Sequence, residues 1–157
     1  MAASKVLIIG VGNEYRCDDA VGLVVARELK AGNAPNVSVI EESGEGSALM
    51  EVWKNAETVI LIDAVSSGAP PGTVQRFEAH AEKLPMGFFH YSTHAFGIAE
   101  AIELSRVLQQ LPPRMTVYGI EGKNFASGSG LSAEVKQASD MVVKKIVEDL
   151  NHAKFRA

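Results

Sequence analysis

Four short apolar runs punctuate the chain, at residues 6–9, 37–40, 59–62 and 115–120, each rich in β-branched residues and bounded by turn formers. Runs that stay apolar rather than alternating mark strands buried on both faces of a parallel sheet. Only the last alternates in part, through Thr116 and Tyr118. A fifth segment, 73–79, follows the turn signal Gly68-Ala69-Pro70-Pro71-Gly72 and alternates Val74, Arg76 and Glu78 with Thr73, Gln75, Phe77 and Ala79. It predicts an edge strand with one wetter face, suited to antiparallel pairing. Between the runs the period changes. Val21, Val24, Val25 and Leu29 share one helical face, and a shorter helix over 47–55 carries Leu49, Met50 and Trp53. A third helix, 95–108, carries Ile98, Ile102 and Leu108 behind Ser92 and Thr93 as capping residues. The last runs from Ser132 to near Leu150, with Val135, Ala138, Val142 and Ile146 on one side. The order β-α-β-α-β-β-α-β-α predicts an α/β protein, a three-layer α/β/α sandwich.

Length and composition narrow this further. The chain has 157 residues, the size of one domain, and a single domain over 1–157 is expected. Its 46% hydrophobic and 22% charged content excludes disorder as the main state. Fifteen Lys and Arg against nineteen Asp and Glu give a net charge of −4 with no basic stripe, so neither nucleic acid nor a membrane surface is an expected partner. Residues 6–10 are too short a run for a signal peptide, and no stretch approaches the roughly 18 apolar residues of a membrane span. A cytoplasmic, monomeric protein is expected. Cys17 is the only cysteine, which rules out a disulfide framework and paired-thiol redox or zinc motifs.

Ligands of open parallel sheets gather at the carboxyl ends of the strands, so the polar residues there carry the chemistry. The first strand leads into Gly10-Val11-Gly12-Asn13, then Glu14 to Asp19, before the helical pattern resumes at Val21. A Gly-x-Gly turn between strand and helix suggests a dinucleotide site, and Glu41 and Glu42 stand where a ribose-binding acid would. Tyr15 replaces the third glycine, however, and Asp18 and Asp19 would repel a pyrophosphate. Either aspartate could instead cap the following helix. Asp63 directly follows the third apolar run, and His94 stands at the entry to the third helix. His90 and His94 have zincin spacing, but Tyr91 occupies the place of the glutamate that motif needs. Cys17 lacks a partner base in the local sequence, and no G-x-S-x-G elbow is present. Asp19, Asp63 and His94 follow three separate elements that can converge on one rim. Two carboxylates and an imidazole suit a divalent first-row ion with open positions for another molecule.

The same residues match a family. Gly10-Val11-Gly12-Asn13 with Asp18-Asp19-Ala20-Val21-Gly22 resembles the N-terminal signature of the [NiFe]-hydrogenase maturation endopeptidases. Ile62-Asp63-Ala64 resembles their second block and Ser92-Thr93-His94 with Gly97 their third. The resemblance implies a phosphorylase/hydrolase-like fold, a five-stranded, mostly parallel mixed sheet between helices. It implies an aspartyl-type endopeptidase that removes the C-terminal extension of a hydrogenase large-subunit precursor after nickel insertion. Asp19, Asp63 and His94 would be both the metal-binding and the catalytic trio, and the nickel would arrive on the precursor rather than as a permanent cofactor. Some members carry glutamate at the position of Asp19, and Tyr15 stands where an aliphatic residue is commoner. The other readings are a Rossmann-like nucleotide-binding domain and a non-catalytic nickel-binding accessory protein. The apolar stretch Met86-Gly87-Phe88-Phe89 either lines a docking surface for the precursor or forms a lid packed on the core, and docking is the expectation.

Overall fold

A computed structural model describes residues 5–85, 87–89 and 94–152 of the chain. Five strands form one sheet: β1 (Val6–Val11), β2 (Val37–Glu42), β3 (Thr58–Val65), β4 (Val74–Glu78) and β5 (Arg114–Glu121). Their order is β2-β1-β3-β5-β4, with β4 antiparallel to β5 and every other pair parallel. The helices are α1 (Val21–Ala31), α2 (Gly46–Trp53), α3 (Ile98–Val107) and α4 (Ala133–Leu150), and a 3-10 turn, Cys17–Ala20, precedes α1. The expected architecture, a five-stranded mixed sheet with helices on both faces, is the one observed.

The apolar runs are continuous because both faces of the sheet are covered. Ile8, Ile60, Ile62 and Ile120 pack against Val21, Val25, Val142 and Ile146 of α1 and α4. Their neighbours Ile9, Val59, Leu61 and Val117 pack against Leu49, Trp53, Ile98 and Ile102 of α2 and α3. Each strand therefore supplies two cores with alternate residues. Trp53 is fully buried, and its indole N–H donates to the Ser105 hydroxyl at 2.9 Å, which ties α2 to α3.

Two boundaries differ from expectation, and both bear on the site. Strand β3 runs to Val65, so Asp63 lies within the strand, in register with Gly119 of β5. Its pairing with β1 stops earlier, at Gly10 opposite Ile62, so Asp63 extends past the end of that neighbour. Helix α3 begins at Ile98, because Gly97 takes an extended conformation and its N–H donates to Glu100 at 2.9 Å. Ser92 and Thr93, expected as caps, lie outside the described residues.

Helix α1 sits unusually close to the sheet. A Cβ added at Gly10 would strike the Gly22 carbonyl and the Ala26 side chain, and one at Gly22 would strike the carbonyls of Ile62 and Val11. Two glycines facing each other let helix backbone rest on strand backbone. Gly22→Ala should lower stability by about 2–3 kcal/mol, since neither neighbour is a side chain that can turn away. Urea unfolding checks this, and a loss within experimental error would refute it.

Neither aspartate of the 3-10 turn caps a helix. Asp18 has no exposed surface, and its carboxylate instead accepts four hydrogen bonds from the segment between β5 and α4. The donors are the N–H groups of Lys123, Asn124 and Ser132 and the Ser132 hydroxyl, at 2.8–2.9 Å. Burial alone would raise its proton affinity, but these donors together hold its carboxyl below the ordinary Asp range. A lowered folded value means that the stabilisation is complete above the unfolded pKa and is lost as pH falls through the folded one. Wild-type stability should therefore decline below about pH 4. Asp18→Asn should be less stable at neutral pH, by about 3 kcal/mol, and decline less over the acid range. An equally steep acid decline in the variant, measured by urea midpoints across pH, would count against the clamp.

Candidate active site

Asp19, Asp63 and His94 line one cleft at the carboxyl edge of the sheet, together with Gly12, Gly44 and Phe89. Each is held by its own device. Asp19 sits on the 3-10 turn, one residue after the buried Asp18, and its carboxylate accepts the N–H of Asn13. A Cβ on Gly12 would strike the Asp19 carbonyl, so this glycine lets the returning chain lie against the end of β1. Asp63 accepts the Ala64 N–H at 2.8 Å and is partly exposed toward the cleft. His94 lies beside Gly44, where an added Cβ would come within 3.7 Å of its ring.

The chain just beyond His94 is pinned to the start of α2. The Gly46 N–H donates to the Phe96 carbonyl at 2.8 Å, and the Phe96 ring fills the space where a Gly46 side chain would stand. Glu45 caps α2, accepting from the N–H groups of Ser47 and Ala48 at 2.8 and 3.0 Å. Its carboxyl is held below its ordinary value, chiefly by the Ser47 hydroxyl and those N–H groups, with a smaller contribution from nearby His94. This second support, the loop from Ser43 to Gly46, carried no sequence motif. Its only signal is the pair of glycines, Gly44 and Gly46, after a strand.

Electrostatics set the two carboxylates apart from ordinary surface acids. Burial raises the proton affinity of Asp63 strongly, and the Asp19 carboxylate raises it further against the opposing Ala64 N–H. Burial also raises that of Asp19, while Arg16 and the Asn13 N–H pull it down. Two acids from separate elements thus share one poorly solvated space. A cation placed between them would relieve both burial and repulsion. Two carboxylates and an imidazole are donors that such an ion takes. Among the described residues, however, no three His, Cys, Asp or Glu side chains are grouped so as to hold a metal ion by themselves.

Other sequence candidates fall elsewhere. His90 and Met86 lie outside the described residues. Phe88 and Phe89 are buried, their rings meeting edge to face with centroids 4.8 Å apart, and Phe88 covers Gly119 of β5. The expected docking stretch is thus, in these two residues, a plug on the core. Cys17 is buried in a left-handed conformation with φ 47° beneath Gly128. The Gly-x-Gly turn offers no phosphate cradle, because the Asp19 carbonyl occupies the space in front of Gly12. Glu41 lies within β2 and pairs with Arg27 through two bonds of 2.9 Å, so it is not a free ribose acceptor.

Residues 23–149 match the family model described as hydrogenase maturation protease. A hydrogenase maturation protease homologue of Methanocaldococcus jannaschii is 30% identical, covering 96% of this chain and 99% of its own. The hydrogenase 2 maturation protease of Escherichia coli is 25% identical over 98% of this chain and 94% of its own. Among solved structures, the hydrogenase maturating endopeptidase HybD of E. coli superposes with a TM-score of 0.78 at 22% identity, covering 96% of this chain and 94% of that one. HybD of Thermococcus kodakarensis, a [NiFe] hydrogenase maturation protease, superposes with a TM-score of 0.67 at 27% identity over 94% and 99%. The family match takes in Asp63 and His94, and the longer alignments extend over most of the chain before it. With the fold in agreement as well, the chain belongs to the hydrogenase maturation protease family and is a peptidase.

Proposed function

We propose that this peptidase removes the C-terminal extension of a [NiFe]-hydrogenase large-subunit precursor, and that Asp19, Asp63 and His94 meet nickel carried by that precursor. The observation that carries the reading is the placing of two mutually repelling carboxylates in one cleft with an imidazole. A cation delivered by the substrate would turn that repulsion into attraction. Binding would then be strong only for a precursor that already holds its metal. A cut made after metal insertion would follow from charge alone, with no separate sensor.

The scissile peptide would be fixed by that contact beside the cleft, where proximity replaces a chance encounter with water. A side chain of the trio not engaged by the ion would take a proton from the attacking water and return it to the leaving amine. This reading places the chain in the cytoplasm, acting as a monomer on a folded partner, and makes the activity an aspartyl-type endopeptidase. The family membership favours it over a passive nickel carrier, which would use the same three side chains.

Two measurements test the reading. Asp63→Asn and His94→Ala should each slow processing of nickel-loaded precursor by about 100-fold or more while leaving the protein folded. Processing at the wild-type rate by either variant would remove that residue from the site. Separately, wild-type enzyme should leave nickel-free precursor essentially uncut. Equal cleavage of loaded and nickel-free precursor, followed by mass spectrometry of the released peptide, would overturn recognition through the metal.

A further inference from the structure

A second depression continues from the cleft, sharing Gly12, Asp19, Ser43 and His94 with it and running outward past Tyr15 toward Arg27. It is open along its length. It opens to solvent more widely than the cleft, so a small ligand would keep more of its surface wet there. An extended chain lying across a surface suits it. Its charged rim is largely satisfied internally, because Arg27 is bridged by Glu41 at 2.9 Å and by Glu14 at 3.4 Å. The large apolar surface left to a partner is the ring of Tyr15, which is 72% exposed.

An exposed tyrosine alone would mean little. The backbone beneath this one is unusually constrained. The Tyr15 N–H donates to the Asn13 side chain at 2.9 Å, and its carbonyl accepts the Gly128 N–H at 2.9 Å. The Cys17 N–H donates to the Gly128 carbonyl, and the Arg16 guanidinium donates to the Phe125 carbonyl at 3.2–3.3 Å. Asp18 then locks the same segment from inside. A loop tied on both sides presents its aromatic ring with little backbone entropy left to lose on binding. Tyrosine, with tryptophan and arginine, is enriched among the residues that carry most of an interface's energy.

We propose that this groove seats the stretch of precursor chain next to the scissile bond, in extended form, and that Tyr15 grips it by taking an apolar side chain against its ring. The inference rests on the peptidase reading of the adjoining cleft and adds the residue that holds the substrate there. Tyr15 touches no reacting atom in this scheme, so its loss should weaken binding and spare the chemical step.

The test is Tyr15→Ala in the full-length protein, assayed on nickel-loaded precursor beside Val107→Ala. Val107 is 77% exposed on α3 and lies outside the groove. Tyr15→Ala should raise KM about tenfold with little change in kcat, and Val107→Ala should leave both unchanged. A KM within twofold of wild type for Tyr15→Ala, or an equal rise for both variants, would overturn the proposal. Calorimetric binding of nickel-loaded precursor carrying an uncleavable bond at the cut site separates the two levels of the argument. Tyr15-dependent binding by a wild-type protein that does not cut would sink the endopeptidase function and keep the contact. Cleavage with binding indifferent to Tyr15 would do the reverse.

Discussion

The site depends on how closely helix α1 approaches the sheet. With Gly10 and Gly22 facing each other, the helix backbone rests on the carbonyls of Val11 and Ile62 with no side chain between them. The chain must therefore climb off β1 and return within a few residues. The polar segment from Gly12 to Asp19 is that excursion, and it closes on itself where Gly12 admits the Asp19 carbonyl. A wider helix-to-sheet spacing would leave Asp19 remote from Asp63. The close approach puts two carboxylates from separate elements at the same edge.

Once brought there, the acids need a frame that does not yield to their repulsion. Asp18 supplies it on one side, fixing the 3-10 turn to the segment after β5 through four donors from residues more than a hundred positions away. On the other side Gly46 and Phe96 interlock next to His94. Neither contact touches the cleft, and both keep its lining in place. The adjacent aspartates thus do opposite things. Asp18 is a carboxylate satisfied by hydrogen bonds and stays charged inside the protein. Asp19 and Asp63 are short of donors, which is the condition that makes a cation welcome.

Much of the fold was legible in the chain. Unbroken valine and isoleucine runs announced strands covered on both faces, and the alternating segment 73–79 announced the wetter antiparallel edge seen in β4. Hydrophobic period does not mark where a strand outlasts its neighbour. The run 59–62 breaks in polarity at Asp63, although β3 continues to Val65 through its pairing with β5 alone. The start of α3 was misplaced for a similar reason, since Gly97 and Glu100 form a cap that the apolar period does not reveal. Phe88 and Phe89 read as a surface patch because their hydrophobicity is visible in sequence, whereas the empty face of Gly119 that receives Phe88 is not.

By itself the sequence determined the class of fold, the order of its elements and the three polar residues worth watching. Those follow from local composition and from motifs that occupy a few consecutive positions. The motif already pointed to Asp19, but only the tertiary structure decided what Asp18 does and why the two differ. Asp18 and Asp19 are the same side chain at neighbouring positions, and helical period and capping preference treat them alike. What separates them is the direction each takes from the 3-10 turn: one toward the N–H groups of Lys123, Asn124 and Ser132, the other toward Asp63. Proton affinity, charge and role depend on distant partners, and those partners exist only once the chain has closed.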